Sequence, residues 1–271
     1  MTSSVSLCIT TYNSPNYLEI TLLSILKQSV LPQEVIIADD GSGESTRLLI
    51  KQYQIIFPIP LIHCWQPDEG FRAAKIRNKA ILASRCEYLI FIDGDIVLHR
   101  HFVRDHVKMA KPQYFIQGSR VLVSKEISVQ RLYSKNIRFH FFSAGIVNRI
   151  NTLSLLYLSK IITSFYGAKD HAGVRSCNLS FWKKDAEAIN GFNEDFEGWG
   201  REDSEFVVRL LNSGIKRQNL KLGGVGFHIW HSENSQQLLH KNQTLLDETL
   251  DNEKKWCNNG LKKTAKSEIQ T

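Results

Sequence analysis

The sequence predicts an α/β fold built on one doubly wound, mostly parallel β-sheet. Strand-like and helix-like segments alternate through residues 1–117, which is typical of a parallel sheet with helices on both faces. The fourth strand-like segment is nearly all apolar, as expected of a parallel strand covered on both faces. Polar clusters follow three of the strands, and ligands in such sheets bind beyond the carboxyl ends of the strands.

The first four strands are predicted at residues 5–10, 34–38, 60–64 and 88–92. Ser14 followed by Pro15 predicts the start of the first helix, since proline is favoured at the first helical position. A polar helix should follow the second strand to about Tyr53, and a third helix should span residues 70–84. Together these elements make residues 1–117 the first predicted part of the chain, an α/β unit.

The remaining chain divides into three predicted parts. Residues 118–176 form a basic and aromatic insertion, expected to be helical or loop-like and partly exposed, with no acidic residue between Glu126 and Asp170. The cationic residues between Glu126 and Asp170 are Arg131, Lys135, Arg138, Arg149, Lys160 and Lys169. Residues 177–235 should carry a strand near 178–182 and a helix near 202–213, and residues 236–271 are predicted to be a polar, basic tail.

Composition and charge exclude several classes of protein. The 271 residues are 42% hydrophobic and 23% charged, which is ordinary for a globular protein and argues against whole-chain disorder. The net charge of +7 favours anionic partners, but no run of lysine and arginine is dense enough to predict nucleic-acid binding. Five cysteines without a Cys-x-x-Cys pair argue against a disulfide scaffold or a zinc–thiolate site and favour buried, reduced thiols.

No charged leader followed by an apolar stretch is visible, and no run of about 18 apolar residues occurs. The predicted location is therefore the cytoplasm. The basic and aromatic insertion adds the hypothesis of peripheral contact with an anionic membrane, at the inner face of the plasma membrane. The alternative interpretation of the insertion is an acceptor-binding subdomain packed on the core.

The sequence Asp93-Gly94-Asp95 follows the apolar fourth strand. Two carboxylates one residue apart can hold a hard divalent cation and a sugar hydroxyl together, and such a cation offsets the charge of a diphosphate. Asp-Gly is also ordinary turn chemistry, so the position after the strand is what favours a ligand site. Asp39, at the end of the second strand, can accept a hydrogen bond from a base, and Arg72 can hold a phosphate or base edge. Lys75 and Arg77 beside it are expected to be solvated.

Residues 191–203 form the most informative single segment. Gly198 and Gly200 flank Trp199, so the loop can bend sharply and expose the indole face to a sugar ring. Glu202 and Asp203 then begin a helix, whose positive end stabilises carboxylates. A carboxylate held beside a bound hydroxyl is a candidate general base, whereas the structural alternative is a helix cap behind a buried tryptophan.

His228 and His231 lie three residues apart and can present two imidazoles to one ion. A single histidine is more often structural. The pairing, together with the acidic candidates upstream, predicts that at least one of the two is a metal ligand.

These residues resemble a known family. Residues 5–117 are similar to the nucleotide-binding half of family 2 glycosyltransferases, through residues 10–13, residues 39–42, the helix over 70–80 and the Asp-x-Asp motif. Residues 177–232 resemble the C-terminal catalytic segment of beta-1,4-galactosyltransferases and bacterial chondroitin-type polymerases. The resemblance implies a GT-A fold: a single Rossmann-like nucleotide-binding sheet followed by an acceptor and catalytic segment.

The resemblance also implies residue roles. Asp39 would pair with uracil, Arg72 would contact the uridine portion and Asp93 would bind ribose. The remaining implied donor-site residues are Thr10, Tyr12, Gly94 and Trp199. Asp95 and His231, with His228 as a further candidate, would hold Mn²⁺ or Mg²⁺. Asp203 would be the catalytic base, with Glu202 beside it shaping the donor and acceptor sites. Galactosyltransferases differ from this chain by a glycine at Arg201 and an acid at Ser204.

The implied reaction is inverting transfer of a hexose or N-acetylhexosamine from a UDP-sugar to a saccharide or glycolipid acceptor, with formation of a β-linkage. The implied setting is bacterial synthesis of lipopolysaccharide, capsule or another surface glycan. A non-catalytic nucleotide-sugar or glycan binding module is the alternative. A sugar nucleotidyltransferase is a third candidate, but it would need a glycine-rich phosphate loop after the first strand, where this chain has residues 10–15.

Overall fold

The computed structural model describes residues 4–165, 171–232 and 235–264. The strands are β1 (Val5–Thr11), β2 (Glu34–Asp39), β3 (Leu61–Trp65), β4 (Tyr88–Asp93), β5 (Ile96–Leu98), β6 (Tyr114–Gly118), β7 (Arg120–Val123), β8 (Ile146–Val147), β9 (Asn178–Trp182), β10 (Lys216–Leu220) and β11 (Gly226–His228). The helices are α1 (Pro15–Ile25), α2 (Glu44–Ile56), α3 (Ala73–Ala83), α4 (Phe102–Met109), α5 (Lys125–Ser134), α6 (Leu156–Phe165), α7 (Lys183–Ala188), α8 (Glu202–Asn212) and α9 (Leu239–Asp251), with a 3₁₀ turn at Arg149–Thr152.

Within these residues the strands form two sheets. The larger has seven strands in the order β10-β6-β9-β4-β1-β2-β3, and the smaller has four in the order β5-β11-β7-β8. In the larger sheet β1, β2, β3 and β4 are parallel neighbours, which confirms the predicted mostly parallel sheet. Strand β9 runs antiparallel between β4 and β6.

Both faces of the large sheet are buried, as the apolar strands predict. Leu7 and Ile9 of β1 point into a core shared with α1, whereas Cys8 points into the opposite core, shared with α3 and α8. Successive side chains of a strand point to opposite faces of the sheet, and here both faces are buried. Pro15 opens α1 as expected, behind Ser14.

The insertion over residues 118–176 differs in part from its expectation. Helices α5 and α6 and the partial exposure agree with it, and Tyr133 and Phe142 are 93% and 84% exposed. Strands β7 and β8 were not expected. They contain four and two residues, and β7 pairs with β11, which lies about a hundred residues later in the chain. Residues 166–170 of this insertion, including Lys169, lie outside the described residues.

The stretch predicted as a polar tail also contains structure. Helix α9 occupies Leu239–Asp251, and beyond it Cys257, Leu261 and Thr264 are buried. Leu261 belongs to the same core as α3 and α8, so sparse apolar residues in a polar stretch are enough to dock it. Residues 265–271 of the predicted tail lie outside the described part of the chain.

None of the helices in the described ranges is both long enough and apolar enough to cross a bilayer.

Candidate active site

Three strands of the large sheet end in polar residues at one edge. The register places Thr11 beside Asp39 and Thr10 beside Asp93, so the ends of β1, β2 and β4 are adjacent. Because β9 is antiparallel, its first residue, Asn178, lies at this same edge, opposite Ile92. The structure therefore brings together residues near 10, 39, 93 and 178 from distant parts of the sequence.

The turn after β4 is shaped around Gly94. Its backbone nitrogen donates to the carbonyl of Thr10 at 2.8 Å, and its carbonyl accepts from Thr21 Oγ1 at 2.9 Å. A Cβ at Gly94 would lie 3.2 Å from the Thr10 carbonyl oxygen and from Thr11 Oγ1, closer than most side chains tolerate. Glycine at this position lets the turn press against β1 and sets Asp93 and Asp95 on either side of it.

Asp95 and the two predicted histidines form one cluster. Asp95 Oδ2 lies 3.0 Å from His231 Nε2 and 3.5 Å from His228 Nε2. One ligand atom from each of the three residues lies within 4.8 Å of the others. The second oxygen, Asp95 Oδ1, is buried and has no hydrogen-bond partner among the described residues, and such a buried orphan is costly unless a ligand satisfies it.

The protonation of His231 shows that the cluster fits a cation. Its Nδ1 lies 2.7 Å from the carbonyl oxygen of Ser232, which can only accept, so Nδ1 carries a proton. The hydrogen bond to Asp95 raises the pKa of His231 to about 9, so that Nε2 carries a proton as well. Burial lowers the pKa of His228, which favours its neutral, metal-binding form. A divalent ion fits this cluster in place of the His231 Nε2 proton.

Two acids stand side by side at the start of α8. Glu202 is buried and accepts a hydrogen bond from Arg77 Nη1 at 2.8 Å. Asp203 accepts from the backbone nitrogens of Ser176 and Ser204, at 3.0 and 2.7 Å. Burial, followed by the neighbouring Glu202, raises the pKa of Asp203. Its carboxylate is thus fixed in place and has a raised proton affinity, as a general base requires.

Arg77, expected to be solvated, is instead one of the most deeply buried charges. It is 4% exposed, donates to Glu202 and Ser176 Oγ, and lies 3.8 Å from Asp93 Oδ1. The three acids that act on it, Asp93, Glu202 and Asp203, come from two segments more than a hundred residues apart. Its burial therefore depends on tertiary contacts, which the helical pattern of residues 70–84 does not contain.

Cys177 shows that the carboxylates converge. The thiol is buried and its pKa is raised to about 12, first by burial and then by Asp93, Asp95 and Asp203, with Arg120 acting in the opposite direction. Asp95 and Asp93 likewise both raise the pKa of His231. The cluster of Asp95, His228 and His231 and the acids of α8 thus share one electrostatic environment around the end of β4.

The expected uridine side lies at the ends of β1, β2 and β3. Asp39 is fully buried, and its two oxygens already accept from Ser42 N and contact His63 Nε2, both at 2.8 Å. Each carboxylate oxygen can accept a second hydrogen bond, so these contacts leave acceptor capacity on Asp39. Tyr12 is 44% exposed and donates to Asp68 at 2.8 Å.

Trp65 was not singled out from the sequence. It is 48% exposed and lies beside Asp39 in the register of β2 and β3. A tryptophan directly after a predicted strand is the sequence signal that could have marked it as a candidate stacking surface.

Residues 197–200, the Trp199 loop, join this side to α8. Trp199 is 40% exposed, and Gly198 and Gly200 on either side of it have φ of +72° and +104°. The loop is held from two directions: Gly198 N donates to Phe71 O at 3.0 Å, and buried Asn242 Nδ2 donates to the carbonyl oxygens of Glu197 and Gly200 at 3.0 and 2.9 Å. Asn242 lies on α9, in the stretch expected to be a tail.

Arg72 makes a different set of contacts from those its predicted role suggests. Its guanidinium forms an ion pair with Glu197 of the Trp199 loop, and its backbone nitrogen donates to Asp40 Oδ2 at 2.7 Å. Burial raises the pKa of Asp40 to about 6, although the hydrogen bonds from Arg72 N and Gln66 lower it. Arg72 thus connects the start of α3 to the loop, at the margin of the cleft.

Two family models match the chain. The model described as Glycosyl transferase family 2 matches residues 6–167, and the model described as the N-terminal domain of galactosyltransferase matches residues 158–232. These two matches confirm the two-part resemblance seen in the motifs.

Curated relatives are similar over most of this chain. It is 26% identical over 246 residues to a chondroitin synthase of Escherichia coli, covering 83% of this chain and 34% of that protein. It is 27% identical over 224 residues to a validoxylamine A glucosyltransferase of Streptomyces hygroscopicus subsp. limoneus, covering 78% of this chain and 48% of that protein. The chain therefore spans less than half the length of these relatives.

Solved structures share the fold. TarS 1–349 of S. aureus in complex with UDP-GlcNAc superposes with a TM-score of 0.63 and 15% identity, covering 96% of this chain and 69% of that chain. The mannosyltransferase PcManGT from Pyrobaculum calidifontis, in complex with GDP-Man and Mn²⁺, gives a TM-score of 0.59 and 16% identity, covering 86% of this chain and 59% of that chain. The fold is the GT-A fold that the motifs predict.

Proposed function

Because the chain belongs to glycosyl transferase family 2, we propose that it transfers a hexose or N-acetylhexosamine from a UDP-sugar to a saccharide acceptor, inverting the anomeric centre to give a β-linkage. The observation that carries the proposal is the cluster of Asp95, His228 and His231 after β4, together with Arg77, which joins Asp93 of the same turn to Glu202 beside Asp203. Similarity to a chondroitin synthase and to TarS bound to UDP-GlcNAc supports a UDP-sugar donor and a glycan product.

In this proposal each part of the chain has one task. Residues 1–117 bind uridine through Thr10, Tyr12 and Asp39, with Arg72 at the margin, while Asp93 and Gly94 receive the ribose. Trp199 offers its exposed face to a sugar ring. Residues 177–235 supply the base and the two histidines. The setting would be synthesis of a bacterial lipopolysaccharide, capsule or other surface glycan.

Asp95, His228 and His231 would hold the divalent ion. When bound, this ion supplies positive charge that stabilises the departing diphosphate. A donor set with two imidazoles suits Mn²⁺ better than Mg²⁺, which prefers oxygen ligands and retains its waters.

Asp203 would take the proton of the acceptor hydroxyl as the hydroxyl oxygen attacks the anomeric carbon. Backbone N–H groups from Ser176 and Ser204 hold its carboxylate in place without transferring a proton themselves. Glu202, paired with Arg77, is a positioning residue that fixes the first turn of α8. A single displacement of this kind inverts the configuration of the donor sugar.

The test is a screen of common UDP-sugars with Mn²⁺, scored for UDP release in the presence of saccharide acceptors. We expect Asp203→Asn to bind UDP normally and to lose roughly 10²–10⁴-fold in turnover, the usual contribution of a well-placed general base. Asp251→Asn, which removes an exposed acid at the end of α9, is the matched control and should retain activity. Near-normal turnover of Asp203→Asn would exclude this residue as the base.

Two other functions give different results in the same screen. A non-catalytic nucleotide-sugar or glycan binding module would bind UDP without releasing it from any donor. A sugar nucleotidyltransferase would consume UTP instead of releasing UDP. The half-buried Asp203, held by a backbone hydrogen bond from Ser176, favours the transferase, because neither alternative requires a base at that position.

Contact with an anionic membrane is a further part of the proposal. The insertion exposes Tyr133, Phe142 and Tyr157 close in sequence to its cationic residues, a combination suited to a lipid interface that presents a glycolipid acceptor. We expect salt-sensitive flotation with anionic liposomes that decreases in Tyr133→Ser/Phe142→Ser. Ile55→Ser, at an 85% exposed apolar residue on α2, is the control. Equal flotation of all three proteins would argue for the alternative, an acceptor-binding subdomain.

A further inference from the structure

A cavity of about 240 Å³ adjoins the candidate active site at Cys177. Its walls are the end of β6, the start of β7, the end of β10 and the loop before β9, and it includes Gly118, Arg120 and Asn219. Strands β6 and β10 lie at the opposite end of the sheet from β2 and β3. The cavity is therefore on the side of the reaction centre away from the proposed uridine site.

The charged side chains that line this cavity are all cationic. Arg120, Arg175, Arg217 and Lys221 line it, and none of the described residues lining it is acidic. Arg217 is buried and oriented by hydrogen bonds to Asn219 Oδ1 at 2.9 Å and to the carbonyl of Ala172 at 2.7 Å. Arg120 Nε is buried without a hydrogen-bond partner among the described residues. Arg120, Arg175 and Lys221 form no ion pair with any acid in the described ranges.

The walls of the cavity are built by specific contacts. Gln117 Oε1 accepts from Arg175 N at 2.9 Å, and Gln117 Nε2 donates to the carbonyls of Arg175 and Asn178, at 3.2 and 3.0 Å. These bonds tie the loop before β9 to the end of β6, which places Arg175 at the mouth and Cys177 at the boundary with the reaction centre. Arg120 acts electrostatically on both Cys177 and His228, so the positive charge lies close to the proposed metal site.

We propose that this basic cavity binds an anionic group of the acceptor, a carboxylate or a phosphate, next to the sugar that is glycosylated. A guanidinium group can donate two parallel hydrogen bonds to a carboxylate or a phosphate. Several cations in one cavity therefore favour an anionic ligand over a neutral one. The cavity is smaller than a typical pocket for a drug-sized ligand, which suits one acidic unit of a longer chain. The identification of the ligand as the acceptor rests on the proposed function, whereas the presence of an anion site does not.

The test measures binding to the full chain saturated with UDP and Mn²⁺, by isothermal titration calorimetry. The probes are a hexasaccharide of alternating glucuronate and N-acetylgalactosamine, its carboxyl-reduced neutral counterpart, and a short poly(glycerol phosphate). The variant is Arg175→Gln/Lys221→Gln, which removes two exposed cations from the rim. The control is Arg85→Gln/Lys216→Gln, which removes two exposed cations outside the cavity.

We expect an acidic probe to bind the wild-type chain at least about tenfold more tightly than the neutral probe, and the rim variant to lose at least about tenfold for that probe. The control variant should bind as the wild type does, and unchanged UDP binding shows that both variants fold. Preference for the hexasaccharide identifies a uronate as the source of the anion, and preference for the phosphate polymer identifies a phosphodiester.

Equal binding of acidic and neutral probes, or equal loss in the rim and control variants, would overturn the proposal. A second titration without UDP completes the test: acidic-probe binding that occurs only in the UDP-free chain would also overturn the proposal, because the cavity would then belong to the donor site. If the acidic probe binds as expected but no UDP-sugar yields UDP, the proposed transfer fails and the anion site stands.

Discussion

At the scale of single residues, Arg201 has the backbone geometry of a glycine. Its φ is +78°, in the left-handed region, immediately before α8. An L-residue with a Cβ pays roughly 1–2 kcal/mol there, partly offset by the greater chain entropy that a glycine loses on folding. We expect Arg201→Gly to raise the free energy of unfolding by up to about 1 kcal/mol, measured by urea denaturation. Arg201→Ala, which removes the same side chain and keeps the Cβ, is the control and should show no gain.

Arg77 marks how far residue roles could be predicted from sequence. The pattern of α3 was sufficient to place a helix, but the buried partners of Arg77 are Glu202 and Ser176, about a hundred residues later. The candidate acids and histidines were identifiable because they follow strand ends or stand in recognisable motifs. A lone arginine on a helix has no such signal, and neither does Asn242, which holds the Trp199 loop from α9.

At the scale of elements, His106 ties α4 to β9. The imidazole is fully buried and contacts Ser180 Oγ at 2.8 Å and Asn178 Oδ1 at 2.9 Å. Burial lowers its pKa to about 4, from an unfolded value near 6.5. The fold therefore favours neutral His106. This preference contributes roughly 3 kcal/mol to the free energy of unfolding above pH 6.5, and the contribution is lost as the pH falls through 4.

We expect His106→Gln, which cannot take up a proton, to lose less stability than the wild type between pH 6.5 and pH 4. Urea midpoints measured across this range give the comparison. His240→Gln, at an exposed histidine on α9, is the control and should follow the wild-type curve. Parallel curves for all three proteins would show that His106 does not govern acid stability.

Elements were predictable where the pattern was local. The four parallel strands and helices α1 and α3 follow from apolar runs and helical spacing, and the structure moves their ends by a few residues at most. Strand β9 was expected, but its antiparallel place between β4 and β6 was not, because strand order depends on contacts across the whole sheet. Strands β7 and β8 are so short that their alternation of apolar and polar residues cannot be distinguished from the basic segment around them.

At the scale of the whole molecule, the proposed metal site of Asp95, His228 and His231 joins the two sheets. Asp95 lies between β4 and β5, whereas His228 ends β11 of the small sheet, and Ile229 N donates to Asp95 O at 3.0 Å. A ligand that binds only the folded chain stabilises it by mass action, by about 2.7 kcal/mol at a hundredfold excess over its dissociation constant. We expect Mn²⁺ to raise the unfolding temperature of the wild type, measured by calorimetry.

Asp95→Asn/His231→Gln should abolish this Mn²⁺-dependent increase, and His240→Gln should retain it. Persistence of the full increase in the double variant would place the ion elsewhere on the chain.

The central place of β9 has a consequence for synthesis of the chain. Among the described strands β6 is linked to β4 only through β9, so a nascent polypeptide that ends before residue 178 holds β6 without this neighbour. The same would be true of a fragment cut at residue 167, where the family 2 match ends. Such intermediates present the open edge of β4, which invites pairing with other chains until residues 178–182 arrive.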